Sequence, residues 1–280
     1  MKSRSEAKDM GTYTAERPRL LFLDTVEAVL RHGPMNDADI IARARDYPYA
    51  QSPTSYVWDG IRTVPLAATS LPEDLEARTP VLALGGNASP SVFAHAFPGQ
   101  VTPVLRATLA DFDLVYMARF EPHGAMPAML APSPGTVATV FVAFLSPDQR
   151  DWLTDIALGF EDDHGPFFTF GELQEIALDI EGLGGRDRVF TYRSAVPAMG
   201  HDGAICAYSE LPAKNRRLPD FAHPRVLEAV RERQAPDLTF DDFLVALVKD
   251  DALRARCTTA LRANAVPVEL PSYTQILPKA

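Results

Sequence analysis

Cysteine is scarce: Cys206 and Cys257 are the only two. Neither lies in a C-x-x-C or other ligand-spaced cluster, which removes a disulfide framework, a thiolate zinc site and a redox pair from consideration. Long apolar runs are also missing. No stretch of about eighteen apolar residues occurs, which argues against a membrane-spanning helix. Residues 1–19 are polar and charged without the apolar core of a secretory signal, so cytoplasmic residence is the default expectation. Positive charge is in short supply, with 27 Lys and Arg against 37 Asp and Glu, a formal charge of −10 and a pI near 5.1. Such a surface repels phosphate backbones and anionic lipid, so neither nucleic acid nor membrane is an expected partner. The densest basic stretch, Lys214, Arg216 and Arg217, is too short to outweigh the rest and reads as a solvated loop.

Signatures of metal, nucleotide and acyl-enzyme chemistry are absent too. The six histidines form no H-x-x-x-H or H-E-x-x-H pair, and His123, His164 and His201 read as separate loop residues. There is no G-x-G-x-x-G, no Gly-Lys-Ser/Thr after a glycine loop and no G-x-S-x-G elbow. No metal and no cofactor is therefore expected.

What is present is ample apolar material, 46% of 280 residues, enough for one large core. Residues 1–18 read as a disordered tail. Residues 19–79 read as a helical and loop extension: a helix over 20–31 stopped by Gly33-Pro34, then one capped by Asn36 or Asp37, burying Ile40, Ile41 and Ala44 and ending before Pro48. Val81-Leu82-Ala83-Leu84, bounded by Pro80 and Gly85-Gly86, fits a buried strand. A helix follows with Ser89 as cap and Pro90 at its first position. Extended segments are expected over 104–109, 112–120, 126–131 and 137–145. The turn chemistry of Pro132-Ser133-Pro134-Gly135 predicts a hairpin between the last two. Ser146 and Pro147 open another helix. Further strands are expected over 174–180, 188–192 and 204–208. Residues 213–280 carry three helical patterns, around 226–233, 240–249 and 252–264. Helices, a strand-rich middle and helices again predict an α+β protein.

The most informative local feature is Leu84-Gly85-Gly86-Asn87-Ala88-Ser89-Pro90, a strand running through two glycines into a helix. Glycines let a ligand approach the main chain, and amides at a helix start favour an anion or a polarised carbonyl. The same residues also read as a tight strand-to-helix turn with Asn87 as an alternative cap.

This loop resembles the Tyr-Gly-Ser-Asn-Leu motif of the γ-glutamylcyclotransferase family, with Gly85 and Asn87 kept. Leu109-Ala110-Asp111-Phe112-Asp113-Leu114 is similar to the family's L-x-D-F-x-L strand, and the run from Met126 to Gly135 to its A-x-I-x-x-S-P-G hairpin. The resemblance implies a small mixed β-barrel over residues 80–212, with the N-terminal extension and the C-terminal helices packed around it. It also implies a small-molecule site in which Leu84, Gly85, Gly86, Asn87 and Ala88 hold a γ-glutamyl or other amide or amine group. The family's general acid/base Glu falls on Ala157, which cannot transfer a proton; Leu84 replaces the motif's Tyr and Gly86 its Ser. Glu161 is the expected replacement, its length covering a displaced backbone, although Glu161-Asp162-Asp163-His164-Gly165 reads equally as an exposed acidic loop. Two uses of the fold stay open: a γ-glutamylcyclotransferase-like enzyme, or a non-catalytic binding protein whose added helices serve a protein partner or a homodimer.

Overall fold

The computed structural model describes residues 36–159, 161–162 and 165–278, with the side chains of 68, 161, 162 and 165 outside that set. The expected tail over 1–18 and helix over 20–31 lie outside the described residues.

Five strands close into a barrel: β1 (Thr79–Ala83), β2 (Thr102–Tyr116), β3 (Ala128–Leu145), β4 (Phe168–Ile180) and β5 (Gly184–Ser194). Hydrogen bonding runs β3–β1–β5–β4–β2 and returns from β2 to β3, so the protein is a mixed α+β chain built on a closed five-stranded sheet. Every junction is antiparallel except β1 with β5, which is parallel and held by the single register pair Val81 and Phe190. Closure removes the edges that an open sheet of this length would expose.

The expected hairpin at Pro132-Ser133-Pro134-Gly135 is corrected: these residues sit inside one strand, β3, opposite a bulge in β2. Phe112 of β2 pairs with both Pro132 and Val137, so the flanking apolar runs share one partner strand and do not pair with each other. Asp111 (φ 64°) and Gly135 (φ 85°) take the left-handed geometry the bulge requires. The Gly135 amide donates to Asp111 Oδ1 at 2.8 Å, and the Ser133 and Thr136 hydroxyls meet at 2.7 Å. Turn residues here bend a strand. The real connection between β2 and β3 is residues 117–127.

Six α-helices stand among the described residues. The first, α1 (Asp37–Asp46), is capped by Asn36, whose Oδ1 accepts from the Asp39 amide at 3.0 Å, and buries Ile40 and Ala44. Helix α2 (Pro90–Ala96) follows the glycine loop, with Pro90 in its first turn. Ser89 holds the N-cap position, but its hydroxyl bonds the Ala50 carbonyl and Ser91 and does not cap the helix. Helix α3 (Pro147–Gly159) opens on a reciprocal box: the Ser146 amide donates to Gln149 Oε1 at 2.9 Å, and the Gln149 amide donates to the Ser146 hydroxyl at 3.3 Å. Helices α4 (His223–Gln234), α5 (Phe240–Lys249) and α6 (Asp251–Arg262) follow the apolar periodicity closely, with Phe243, Leu244 and Leu247 of α5 fully buried. Helix α1 packs on α5 through the ion pairs Arg45–Asp241 and Lys249–Asp37.

Alternate residues of β1 divide between two packed clusters. Leu82 and Leu84 belong to the larger one, and Val81 and Ala83 to a second with Phe93, Phe97 and Phe141. The two clusters therefore occupy opposite faces of β1.

Candidate functional site

β5 pairs with β1 at the single register pair Val81 and Phe190. A cavity of about 940 Å³ is bordered by Val81, Leu82, Ala83 and Leu84 in succession, so it meets both faces of the strand. Around it stand α1, the glycine loop, α2, the 117–127 connection and the C-terminal half of α3.

The glycine loop folds as a short 3-10 turn, Gly85–Ala88. Leu84, Gly86 and Asn87 border the cavity. Gly85 and Ala88 turn instead into packing: a Cβ on Gly85 (φ 53°) would lie 2.6 Å from the Ala128 Cβ, and Ala88 is 1% exposed, its carbonyl accepting from the Tyr56 hydroxyl at 3.1 Å. A Cβ on Gly86 would lie 2.9 Å from Tyr47 Cε2 and 3.2 Å from the Tyr49 ring. Two tyrosine rings from the end of α1 thus rest directly on this backbone. The Tyr47 hydroxyl oxygen accepts from the Ala128 amide at 3.3 Å. Burial drives the Tyr47 pKa well up, so the ring stays a neutral phenol.

Behind Tyr47 lies a buried aromatic group. Its ring centroid is 5.1 Å from His223, 6.2 Å from Tyr208 and 6.2 Å from His123. The Tyr208 hydroxyl donates to the Met126 carbonyl, and the Met126 amide donates to His223 Nε2 at 3.3 Å. These bonds fix the 117–127 connection against α4.

That connection brings two buried titratable groups to the cavity, which Asp39, Arg43 and Asp46 of α1 and His95 of α2 also border. The Glu121 amide donates to the Ala125 carbonyl at 2.8 Å and the Gly124 amide to the Glu121 carbonyl at 2.9 Å, closing a tight loop that presents Glu121 and His123 to the cavity. Gly124 takes φ 81°, and its Cβ position would lie 3.1 Å from Val248 of α5, so the loop rests closely on that helix. Burial pushes the Glu121 carboxyl above its ordinary value, against the pull of Arg119 and Arg254. The nearest cation, Arg119, is 3.7 Å away at Nε, with its guanidinium stacked 3.7 Å over the Phe167 ring. Burial, with the Arg43 and His223 charges, lowers His123 to about 3, so its ring is neutral near pH 7. His123 Nδ1 is buried without a hydrogen-bond partner among the described residues. Arg43 completes the polar end, its Nε donating to the Tyr49 hydroxyl at 3.1 Å.

The opposite end is apolar: Phe93, Phe97, Trp152, Leu153 and Ile156 line it, with Phe97 and Trp152 edge to face at 5.4 Å. Tyr192 borders it too, its hydroxyl paired to Thr154 at 2.9 Å. Ala157 lines this cavity. The Glu161 backbone pairs with Pro166 in a two-residue ladder, and its side chain lies outside the described residues.

Glu121 is the functional candidate that sequence reasoning passed over, because residues 112–120 read as one extended run and the chain beyond as a link. The available signal was the placing of Arg119, Glu121 and His123 within a stretch otherwise dominated by apolar residues, since charges embedded in a buried run need a partner or a purpose. His123, read as a loop residue, does stand on a loop, but one that faces the cavity. Among the described residues no cluster of three His, Cys, Asp or Glu has the arrangement to hold a metal ion, and no helix is long and apolar enough to cross a membrane. No family model matches the chain, and no curated protein or solved structure matches it either.

Proposed function

We propose that this barrel is of the γ-glutamylcyclotransferase-like type and that its cavity converts a small γ-glutamyl amide, with Glu121 as the proton-transferring carboxylate. One observation carries the reading: Gly86 and Asn87 of the glycine loop, Ala157 at the position where the family keeps its acid/base Glu, and the buried Glu121 all border one cavity. The family's arrangement needs a binding loop and a carboxylate facing each other across such a space. A carboxylate supplied from the β2–β3 connection replaces one supplied from the end of α3.

The chemistry is balanced without any co-reactant. The substrate's α-amine loses a proton to Glu121 and attacks the γ-carbonyl carbon, and the new C–N bond closes a five-membered ring. The amide C–N bond then breaks as Glu121 returns the proton to the departing amine, leaving 5-oxoproline and a free amine. Burial raises the pKa of Glu121 toward the range where a carboxyl both accepts and gives a proton. Gly86 and Asn87 border the space that the γ-glutamyl group would fill, while the Asn87 amide itself closes the turn by donating to the Leu84 carbonyl at 3.1 Å.

A second reading is favoured by the Tyr47 ring, which packs directly on the Gly86 backbone: a binding protein whose cavity holds a small metabolite without turnover. Incubation with γ-glutamyl dipeptides, followed for 5-oxoproline by mass spectrometry, separates the two. Cyclisation is expected in the wild type, lost in Glu121→Gln and kept in Glu161→Gln. Stabilisation by ligand with no 5-oxoproline formed would leave the binding role alone.

A further inference from the structure

Resting on that reading, we propose that the group leaving with the amine is bulky and apolar, an aromatic or branched-chain amine or amino acid, and that it sits on the far side of β1 from the glycine loop.

The two ends of the cavity are chemically unequal. On one side of β1 are Gly86, Asn87, Glu121, His123 and Arg43, a set able to hold a charged or amide-bearing head. His123 Nδ1 lies buried there without a hydrogen-bond partner among the described residues, the kind of polar atom a ligand's head satisfies. On the other side Phe97, Trp152, Leu153 and Ile156 present carbon surface, and nearby Tyr192 has its hydroxyl engaged by Thr154. Both ends belong to one cavity, lined in succession by Val81, Leu82, Ala83 and Leu84. A substrate spanning it carries its polar acyl end and its amine substituent on opposite faces of one strand.

Size agrees with this division. A cavity of about 940 Å³ lies at the upper end of the range of roughly 300–1,000 Å³ typical of small-molecule sites. A γ-glutamyl head conjugated to glycine would leave the apolar end to water. A charged amine substituent would lose hydration there with no counter-ion among Phe97, Trp152, Leu153 and Ile156 to replace it. An aromatic or branched side chain displaces that water and gains contact with Phe97 and Trp152.

Titration calorimetry with four probes tests this: γ-glutamyl-phenylalanine, γ-glutamyl-glycine, γ-glutamyl-glutamate and N-acetyl-phenylalanine amide. The expected order places the phenylalanine conjugate roughly tenfold to a hundredfold tighter than the glycine conjugate, and the glutamate conjugate weakest. In Ala96→Phe, which narrows the apolar end from α2 and leaves the glycine loop and Glu121 untouched, that preference should shrink severalfold while the glycine conjugate binds unchanged. Equal affinity for all three conjugates would overturn the proposed leaving group while leaving γ-glutamyl recognition intact. Preference for phenylalanine without 5-oxoproline, or binding of N-acetyl-phenylalanine amide alone, would keep the apolar site and sink the cyclisation. Binding of none of the four would refute both.

Discussion

Two buried carboxylates on the same strand and its following loop meet opposite fates. Asp113 of β2 is fully buried, and Arg216 grips it with two bonds, Nε to Oδ2 at 2.9 Å and Nη2 to Oδ1 at 3.1 Å. Arg216 also reaches the Leu211 carbonyl and Asp220, so neither partner has capacity left for a ligand. Glu121 is nearly as buried, but its nearest cation stands 3.7 Å away and its carboxyl borders open space. A fork-shaped bidentate pair stabilises charge and fixes structure, whereas at Glu121 burial outweighs the looser Arg119 pair and the Arg254 charge, raising its pKa and preparing it for proton transfer. The first carboxylate belongs to the fold and the second to the chemistry.

The sharpest way to break this contrast is to neutralise each in turn. Glu121→Gln should reduce turnover by ~10² to 10⁴ while leaving thermal stability nearly unchanged, since the carboxyl already resists ionisation. Asp113→Asn should do the reverse, lowering the unfolding free energy by about 3 kcal/mol in urea titrations, because Arg216 stays buried with a weakened partner. If the two variants exchanged these effects, the division between structural and chemical carboxylate would fall. Next in size is Gly86→Ala, whose new methyl must displace Tyr47: about 1–3 kcal/mol of stability and weakened ligand binding are expected by calorimetry. Gly182→Ala, at φ 82° but with nothing within 4 Å, should affect stability only modestly and binding not at all.

The acid response sharpens the comparison further. His123 and His223, each lowered to about 3 chiefly by burial, bind a proton more readily when unfolded, where their ordinary value is 6.5. Their contribution is complete above pH 6.5 and is lost as pH falls from there toward 3. Glu121 acts in the opposite sense: its folded value is raised, so its contribution is present below its ordinary 4.5 and lost as pH climbs through the folded value. Two histidines outweigh one glutamate, and the unfolding free energy should drop between pH 7 and 5. In His123→Gln that drop should be shallower by about 2 kcal/mol; an unaltered slope would mean that the ring is not held neutral by burial. The smallest effect belongs to Arg45→Ala, which removes a half-exposed pair with Asp241 and should change stability by ~0.5 kcal/mol or less.

The helical ends were legible because their apolar residues recur at a single period and their caps are local: Asn36, Pro90, and Ser146 with Gln149 all act within one turn. The barrel strands were also legible, from Val81 onward, since short apolar runs between turn residues leave few alternatives, but the strand Tyr273–Leu277, which pairs with β4, lies where only helices were expected. The path of β3 was not, because Pro132-Ser133-Pro134-Gly135 has the same local chemistry whether it reverses a chain or bulges it. The choice is made by β2 running alongside, with Asp111 supplying the acceptor for the Gly135 amide. For the same reason the site was only half legible. The glycine loop announces itself through two adjacent residues, but Glu121 becomes conspicuous only when β2 and β3 close and bring 117–127 beside Tyr47, seventy residues and more away in sequence.

The most direct test is a crystal structure of the protein soaked with γ-glutamyl-phenylalanine in the Glu121→Gln background. The account predicts the γ-glutamyl head against Gly86, Asn87 and His123, with the phenyl ring between Phe97 and Trp152. A ligand bound elsewhere, or an empty cavity at saturating concentration, would contradict it.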